Sequence, residues 1–282
     1  MDSGILYICA TPIGNLEDIT LRVLRILKEV DVIAAEDTRT SQKLLNHYGI
    51  TTKMRSYHEY NSDKVQPALI ALLKEGKDIA LISDAGMPVI SDPGRGLVRA
   101  CHEAGLNVRI CPGASASASA YALSGVGDGR YVHEGFLPSN KKARHKRLEA
   151  LNEEQRAMAI YCAPHDVLTT LTELHEHLGD RELAICRELT KIYEETKLMR
   201  LTEAIELYEA IRPRGEFVFI IEGKEKECLL LNESVMFHVE HYIKLGHDEK
   251  TAMKMVAKDR NVSKREIYDA YKIGGKDDED MC

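Results

Sequence analysis

No stretch of this chain is apolar for long enough to cross a bilayer, and its first residues carry neither a basic start nor a long apolar run. A membrane helix and a secretory leader are therefore not expected, and a cytoplasmic protein without a membrane partner is. The seven cysteines, Cys9, Cys101, Cys111, Cys162, Cys186, Cys228 and Cys282, form no C-x-x-C pair and mostly sit in apolar runs, which predicts buried free thiols. No G-x-G-x-x-G opens the first helix and no G-x-x-x-x-G-K-[ST] occurs, so nicotinamide cofactors and nucleoside triphosphates are disfavoured. Positive charge is in short supply: the net charge of −7 argues against nucleic-acid binding by the whole surface while leaving room for a local basic patch. A repeat of fixed period is also missing. His175-x-His177 and His238-x-x-His241 lack a partner set at a metal-binding spacing, so no metal is expected and these histidines are read as solvated.

What is present is ordinary in bulk and ordered in detail. With 44% hydrophobic and 29% charged residues, 282 residues suffice for about two domains. Strand-like runs at 5–10, 32–35, 53–57, 79–82 and 108–111 alternate with amphipathic helical segments. That rhythm predicts an α/β domain over residues 1–122 with a mainly parallel sheet. Leu21, Leu24 and Leu27 mark one helix, and Val65, Leu69, Leu72 and Leu73 another. Asp18 and Asp63 stand where N-caps are expected, and Gly49, Gly76 and Gly105 just past helix ends. Three glycines in 123–129 read as a linker. A second α/β domain is expected over 130–223, with strands at 131–137, 157–162, 182–187 and 217–221 and a helix at 167–178. A charged helical extension over 224–275, with Ser263 and Glu266 spaced as a capping box, and an acidic tail over 276–282 complete the chain.

The stretch 83–94, Ser-Asp-Ala-Gly-Met-Pro-Val-Ile-Ser-Asp-Pro-Gly, follows a buried strand and precedes a helix. In open α/β sheets, that edge is where ligands bind. Pro88 and Pro93 stiffen it, and Gly86 and Gly94 permit close backbone approach. The plainer reading is a surface turn, made of ordinary turn residues. Four other loops share its position after a strand: Thr11-Pro-Ile-Gly-Asn15, Glu36-Asp-Thr-Arg39, Tyr57-His-Glu-Tyr-Asn61 and Pro112-Gly-Ala-Ser-Ala116. Parallel strands would bring all five to one sheet edge and build a pocket there. Carboxylates at Glu36, Asp37, Glu59 and Asp84 would make its rim unsuited to phosphates and suited to a cationic or neutral ligand.

The blocks Ala10-Thr-Pro-Ile-Gly-Asn-Leu-Glu-Asp-Ile-Thr20, Ala35-Glu-Asp-Thr-Arg39, Ser83-Asp-Ala-Gly-Met-Pro88, Ser91-Asp-Pro-Gly94 and Pro112-Gly-Ala-Ser115 are followed in order by three more. These are Glu134-Gly-Phe-Leu-Pro138, Arg187-Glu-Leu-Thr-Lys191 and Gly215-Glu-Phe-Val-Phe-Ile-Ile-Glu-Gly223. Together they resemble the signature of the ribosomal RNA small subunit methyltransferase I family, within the tetrapyrrole methylase superfamily. Met87 departs from it, standing where the family usually has Thr, and the likeness is weak beyond Lys224. The resemblance implies a tetrapyrrole-methylase-like fold with S-adenosylmethionine in a cleft between two α/β domains. It also implies a homodimer and 2′-O-methylation of a cytidine in the decoding region of 16S rRNA, within the 30S subunit. The rivals are a superfamily relative acting on a tetrapyrrole or protein side chain, and a non-catalytic RNA-binding or ribosome-assembly protein.

Carried onto this chain, the family's motif positions place the methyl donor against Pro12, Gly14, Asp84, Ala85, Gly86, Ser91, Ser115 and Ala116. Pro164 is a candidate adenine wall, or simply a proline in the first turn of a helix. A ribose hydroxyl is a poor nucleophile until it loses its proton, so a general base is wanted. Asp37 or Glu36 is the candidate, with Arg39 as a phosphate or orientation contact; the plainer reading is that all three cap a helix starting near Thr40. The basic run 141–147 supplies Lys141, Arg144 and Arg147 as an RNA grip, or else forms a solvated helix face.

Overall fold

The computed structural model describes residues 3–224, 230 and 233–272. The chain divides into two compact units, residues 1–224 and 225–282. The first unit holds two five-stranded sheets.

The first sheet is made of β1 (Ile5–Cys9), β2 (Val32–Ala35), β3 (Met54–Ser56), β4 (Ile79–Ile82) and β5 (Asn107–Cys111), in the order β3-β2-β4-β1-β5. All its pairings are parallel, as the alternating rhythm predicts. Its helices are α1 (Leu21–Glu29), α2 (Thr38–His47), α3 (Ser62–Lys74) and α4 (Arg95–Glu103). Alternation along β1 sends Leu6 and Ile8 to one face, with Leu69, Leu73 and Leu97, and Tyr7 and Cys9 to the other, with Val23, Ile26 and Leu27. The cap of α1 is Thr20, whose Oγ1 accepts from Val23 N at 3.2 Å, and not Asp18, which lies in a preceding 3-10 turn. Asp63 likewise sits inside the first turn of α3, behind Asn61 at the cap position.

The chain leaves β1 in one direction across the sheet and β4 in the other, so the topological switch lies between these neighbours. The loops after β1 and β4 are consequently adjacent: Thr11 and Gly86 exchange backbone bonds at 2.8 and 3.0 Å. A crevice outside strand ends at such a switch is the expected ligand site.

The second sheet contains β6 (Tyr131–Phe136), β7 (Ala157–Cys162), β8 (Glu182–Arg187), β9 (Glu195–Arg200) and β10 (Phe217–Ile221), in the order β6-β7-β10-β8-β9. Only β6 and β7 are parallel. One face packs on α6 (Lys141–Asn152), α7 (Val167–Leu178) and α8 (Leu201–Ala210), through Leu148, Leu171, Leu174 and Leu201. The other face is small-sided at Ala157, Ala159 and Ala184, and α5 (Ala116–Ser124) lies against it. The boundary expected at 122 therefore falls inside a helix that belongs to the second sheet's packing.

The second unit contains α9 (Val235–Lys244), α10 (Glu249–Asp259) and α11 (Lys264–Lys272) around Val239, Val256 and Ile267. Ser263 and Glu266 form the expected reciprocal cap, with bonds of 3.2 and 2.9 Å. His238 corrects the reading of solvated histidines: it is fully buried, and its Nδ1 accepts from Arg260 Nε at 3.1 Å. Cys9, Cys101, Cys111, Cys162 and Cys186 are buried free thiols, while Cys228, Cys282 and the acidic tail lie outside the described residues. Among the described residues no helix is long and apolar enough to cross a membrane, and no cluster is fit for a metal.

Candidate active site

A cleft of about 520 Å³ opens at the switch point, within the ~300–1,000 Å³ range usual for small-ligand sites. Of the five loops, four reach it. The loop after β1 contributes Ile13, the one after β2 Glu36, the one after β5 Ser115 and Ala116, and the central loop residues between Asp84 and Asp92. The loop at 57–61 does not, because β3 is the outermost strand, so Glu59 is no part of the rim.

The central loop is held from below. Thr11 Oγ1 donates to the Ser83 carbonyl at 3.1 Å. A Cβ at Gly94 would come within 2.6 Å of Leu81 and 2.8 Å of Val89. Val89 itself adopts a φ of 75°, strained for a β-branched residue, while its neighbour Ile90 is 52% exposed and lines the cleft. Asp84, Ala85, Gly86 and Ser91 line it too. Pro12 and Gly14 do not. Gly14 instead lets the first loop press on the chain after β8, where a Cβ would meet Lys191 Cγ at 2.6 Å and the Leu189 carbonyl at 2.8 Å.

Four carboxylates line the cleft, Glu36, Asp84 and Asp92 from the first sheet's loops and Glu216 from just before β10, which Lys191 binds at 2.8 Å; no Lys, Arg or His lines it among the described residues. Burial, then the charges of Asp92 and Asp84, raises the Glu36 pKa. Burial and Asp37 raise Asp84, against the donation of Asp37 N–H to Asp84 Oδ1 at 3.1 Å. Burial and Asp84 raise Asp92, which had no place in the expected set. Carboxylates that hold their protons too tightly are short of a counter-cation, which a positively charged ligand would supply.

Asp37 and Arg39 behave differently from Glu36. Asp37 is the N-cap of α2, which begins at Thr38, and its Oδ1 accepts from Arg39 N at 2.8 Å. The Arg39 guanidinium binds both its oxygens, at 3.1 and 2.7 Å, and holds the carboxyl down at about 2. Neither residue lines the cleft. The capping reading describes these two, and the cleft reading describes Glu36.

Facing the first sheet's carboxylates is an apolar wall from the second sheet: Phe136, Tyr161, Ala163, Pro164, Phe217 and Val218. Pro164 lines the cleft and also opens a short 3-10 turn. Phe217 pairs with Cys162 across the antiparallel β10–β7 ladder, so strand register brings it beside Pro164. That pairing has no local sequence signal: Phe217 lies within the block 215–223, but nothing there says that its ring lines the cleft.

The basic run is also rearranged by folding. Arg144 Nε donates to Glu173 at 2.5 Å and its NH2 to Thr170 at 2.8 Å. Arg147 makes a two-pronged ion pair with Glu134, whose side chain is 8% exposed. Both arginines are thus paired with carboxylates of the fold, while Lys141, Lys142 and Lys146 are exposed on α6.

Two sheets that meet at a switch-point cleft, one wall acidic and the other aromatic, define an α/β protein that takes a small cationic or amphipathic ligand. Residues 5–205 match the family Tetrapyrrole (Corrin/Porphyrin) Methylases. Solved structures with this fold include a diphthine synthase (TM-score 0.60, 14% identical, covering 78% of this chain and 90% of that one). The methyltransferase CobJ gives a TM-score of 0.59 at 21% identity, over 78% and 95% of the two chains. Uroporphyrin-III C-methyltransferase from Thermus thermophilus, complexed with S-adenosylhomocysteine, gives 0.55 at 17% identity, over 78% and 97%.

In sequence the chain is 47% identical over 275 residues to the ribosomal RNA small subunit methyltransferase I of Halalkalibacterium halodurans, covering 96% of this chain and 95% of that protein. It is 46% identical over 278 residues to the protein of that name from Bacillus subtilis, covering 96% and 95%. It is 47% identical over 222 residues to the Thermotoga maritima one, covering 79% of this chain and all of that protein. The chain belongs to the ribosomal RNA small subunit methyltransferase I family of tetrapyrrole methylases.

Proposed function

We propose that the cleft binds S-adenosylmethionine and that the protein methylates the ribose 2′-hydroxyl of a cytidine in the decoding region of 16S rRNA, within the 30S subunit. It acts in the cytoplasm as a homodimer. The observation that carries this reading is the cleft itself: Glu36, Asp84 and Asp92 without a basic partner in its lining, opposite an apolar wall. The relatives that match 95% or more of their own length under one rRNA methyltransferase name support the RNA substrate.

When bound, S-adenosylmethionine supplies a methyl group on a sulfonium, which a hydroxyl oxygen displaces in line. Asp84, Ala85, Gly86, Ser91, Ser115 and Ala116 would hold the donor on the acidic side, with Pro164 and Phe217 against its flat apolar part. Pro12 and Gly14 serve by shaping the loop behind Ile13. Glu36 is the group placed to take the hydroxyl proton, since a raised pKa makes a better base near neutral pH than the depressed one of Asp37. Exposed Lys141, with Lys142 and Lys146, offers phosphate contacts in place of the paired arginines.

The test is methyl transfer from radiolabelled donor to 30S particles lacking their native modifications, with free 16S rRNA and a tetrapyrrole mixture in parallel. Label on a cytidine ribose is expected; label on a tetrapyrrole would replace this reading with that of the family's other members.

A further inference from the structure

The second sheet carries an aromatic residue that packing does not explain. Phe136 lines the cleft yet is 64% exposed, unlike Phe217 beside Pro164, which is 2% exposed. Its direction is set by a bulge in β6. The register runs His133 opposite Ala159, then Gly135 opposite Ile160 and Phe136 opposite Tyr161, so Glu134 is an extra residue. Strict alternation would put His133 and Phe136, three apart, on opposite faces; one inserted residue puts both on the face of Tyr161. Both rings indeed meet Tyr161 edge-to-face, with centroids 5.2 and 5.5 Å away. The extra Glu134 is the residue paired with Arg147, which pins the bulge from outside. Ser91 Oγ lies 2.9 Å from His133 Nε2, tying the central loop, and with it exposed Ile90, to the same strand.

Resting on the function proposed above, we propose that Phe136 is the platform on which the base of the target nucleotide stacks, with Ile90 as its second apolar contact. A ribose hydroxyl reaches a cleft of this size only when its nucleotide is splayed out of the RNA stack, and an unstacked base needs a new partner. An aromatic side chain fixed by a second ring, open to solvent and continuous with the cleft, supplies one. Exposed Lys141 and Lys142 follow within six residues for the flanking phosphates. The enclosed wall at Pro164 and Phe217 suits the small donor, while Phe136 is accessible to a base presented by a macromolecule.

The test measures kcat/KM for 30S particles and calorimetric donor affinity in F136A, F136L and F136Y. Phe136→Ala is expected to lower kcat/KM about 5- to 100-fold, the usual loss for one base–aromatic stack, with donor affinity within about twofold. Phe136→Tyr should stay near the unaltered protein, and Phe136→Leu, which keeps apolar area without a ring, should lose most of the effect. Unchanged kcat/KM in Phe136→Ala, full activity in Phe136→Leu, or a matching loss of donor affinity would each overturn the inference alone. An unaltered protein that binds donor but labels no RNA would overturn the proposed function and this inference with it.

Discussion

The first sheet brings three of the cleft's four carboxylates and the second brings its rings. Glu36, Asp84 and Asp92 stand on loops that leave parallel strands at a switch point, whereas Phe136, Tyr161 and Phe217 stand on strands of a mixed sheet and at their ends. Loops can tolerate the strain at Val89 and the mutual repulsion of carboxylates, because the interlock of Thr11 with Gly86 holds them. Rings need a fixed direction, and register and bulge provide it. Under the proposed function the work is divided accordingly: the acidic wall would recognise a cation and move a proton, and the aromatic wall would sort flat apolar groups.

The largest expected break separates neighbours on the acidic wall. Glu36→Gln should slow single-turnover methyl transfer by about 10²–10⁴-fold, the usual worth of a general base, with donor binding retained. Asp37→Asn should leave the rate within a few-fold and only lower the melting temperature, by weakening the cap of α2. Equal rate losses in the two would contradict the division between them. For Glu36 the sign with pH is fixed: its pKa is raised, so the rate falls as pH drops through a value above the ordinary glutamate range. A pH–rate profile whose acid limb lies at or below that range would contradict the assignment.

Next come two changes where the sheets are braced. Arg147→Ala leaves the nearly buried Glu134 carboxylate unpaired and should cost about 1–3 kcal/mol in urea unfolding, whereas Lys141→Ala should cost nothing there and weaken 30S binding. Gly14→Ala forces a Cβ against the Leu189 carbonyl and should cost about 1–3 kcal/mol by overpacking.

The smallest effect sharpens the electrostatic side. Asp92 is held protonated more readily folded than unfolded, so its ionised form weakens the fold at neutral pH and the penalty fades as pH falls through its raised pKa. Asp92→Asn should therefore raise the melting temperature slightly while weakening the donor, measured by thermal scans with and without it. A lower melting temperature without donor would remove the repulsion from the account.

Much of this is legible in the sequence where structure is local. The β1–β5 rhythm follows from apolar runs separated by helices with C′ glycines, and the family blocks mark the central loop. Edge strand β9, with Glu195–Arg200 alternating and half exposed, carries too little hydrophobicity to stand out. The role of α5 is hidden because Ala116–Ser124 has no apolar stripe; it packs by smallness against Ala157 and Ala159. Arg144 and Arg147 read as free cations because Glu173 and Glu134 are distant in sequence and meet them only in the fold. Asp92 reads as an ordinary turn residue, since its burial depends on how the loop folds back.

The most direct measurement is a calorimetric titration of the unaltered protein with S-adenosylmethionine, repeated on the Glu36→Gln, Asp84→Asn and Asp92→Asn triple variant. The account predicts one donor per chain and a clear loss of affinity when the three carboxylates are neutralised together. Absence of binding to the unaltered protein, or equal binding by the triple variant, would contradict the claim that the acidic wall holds the methyl donor.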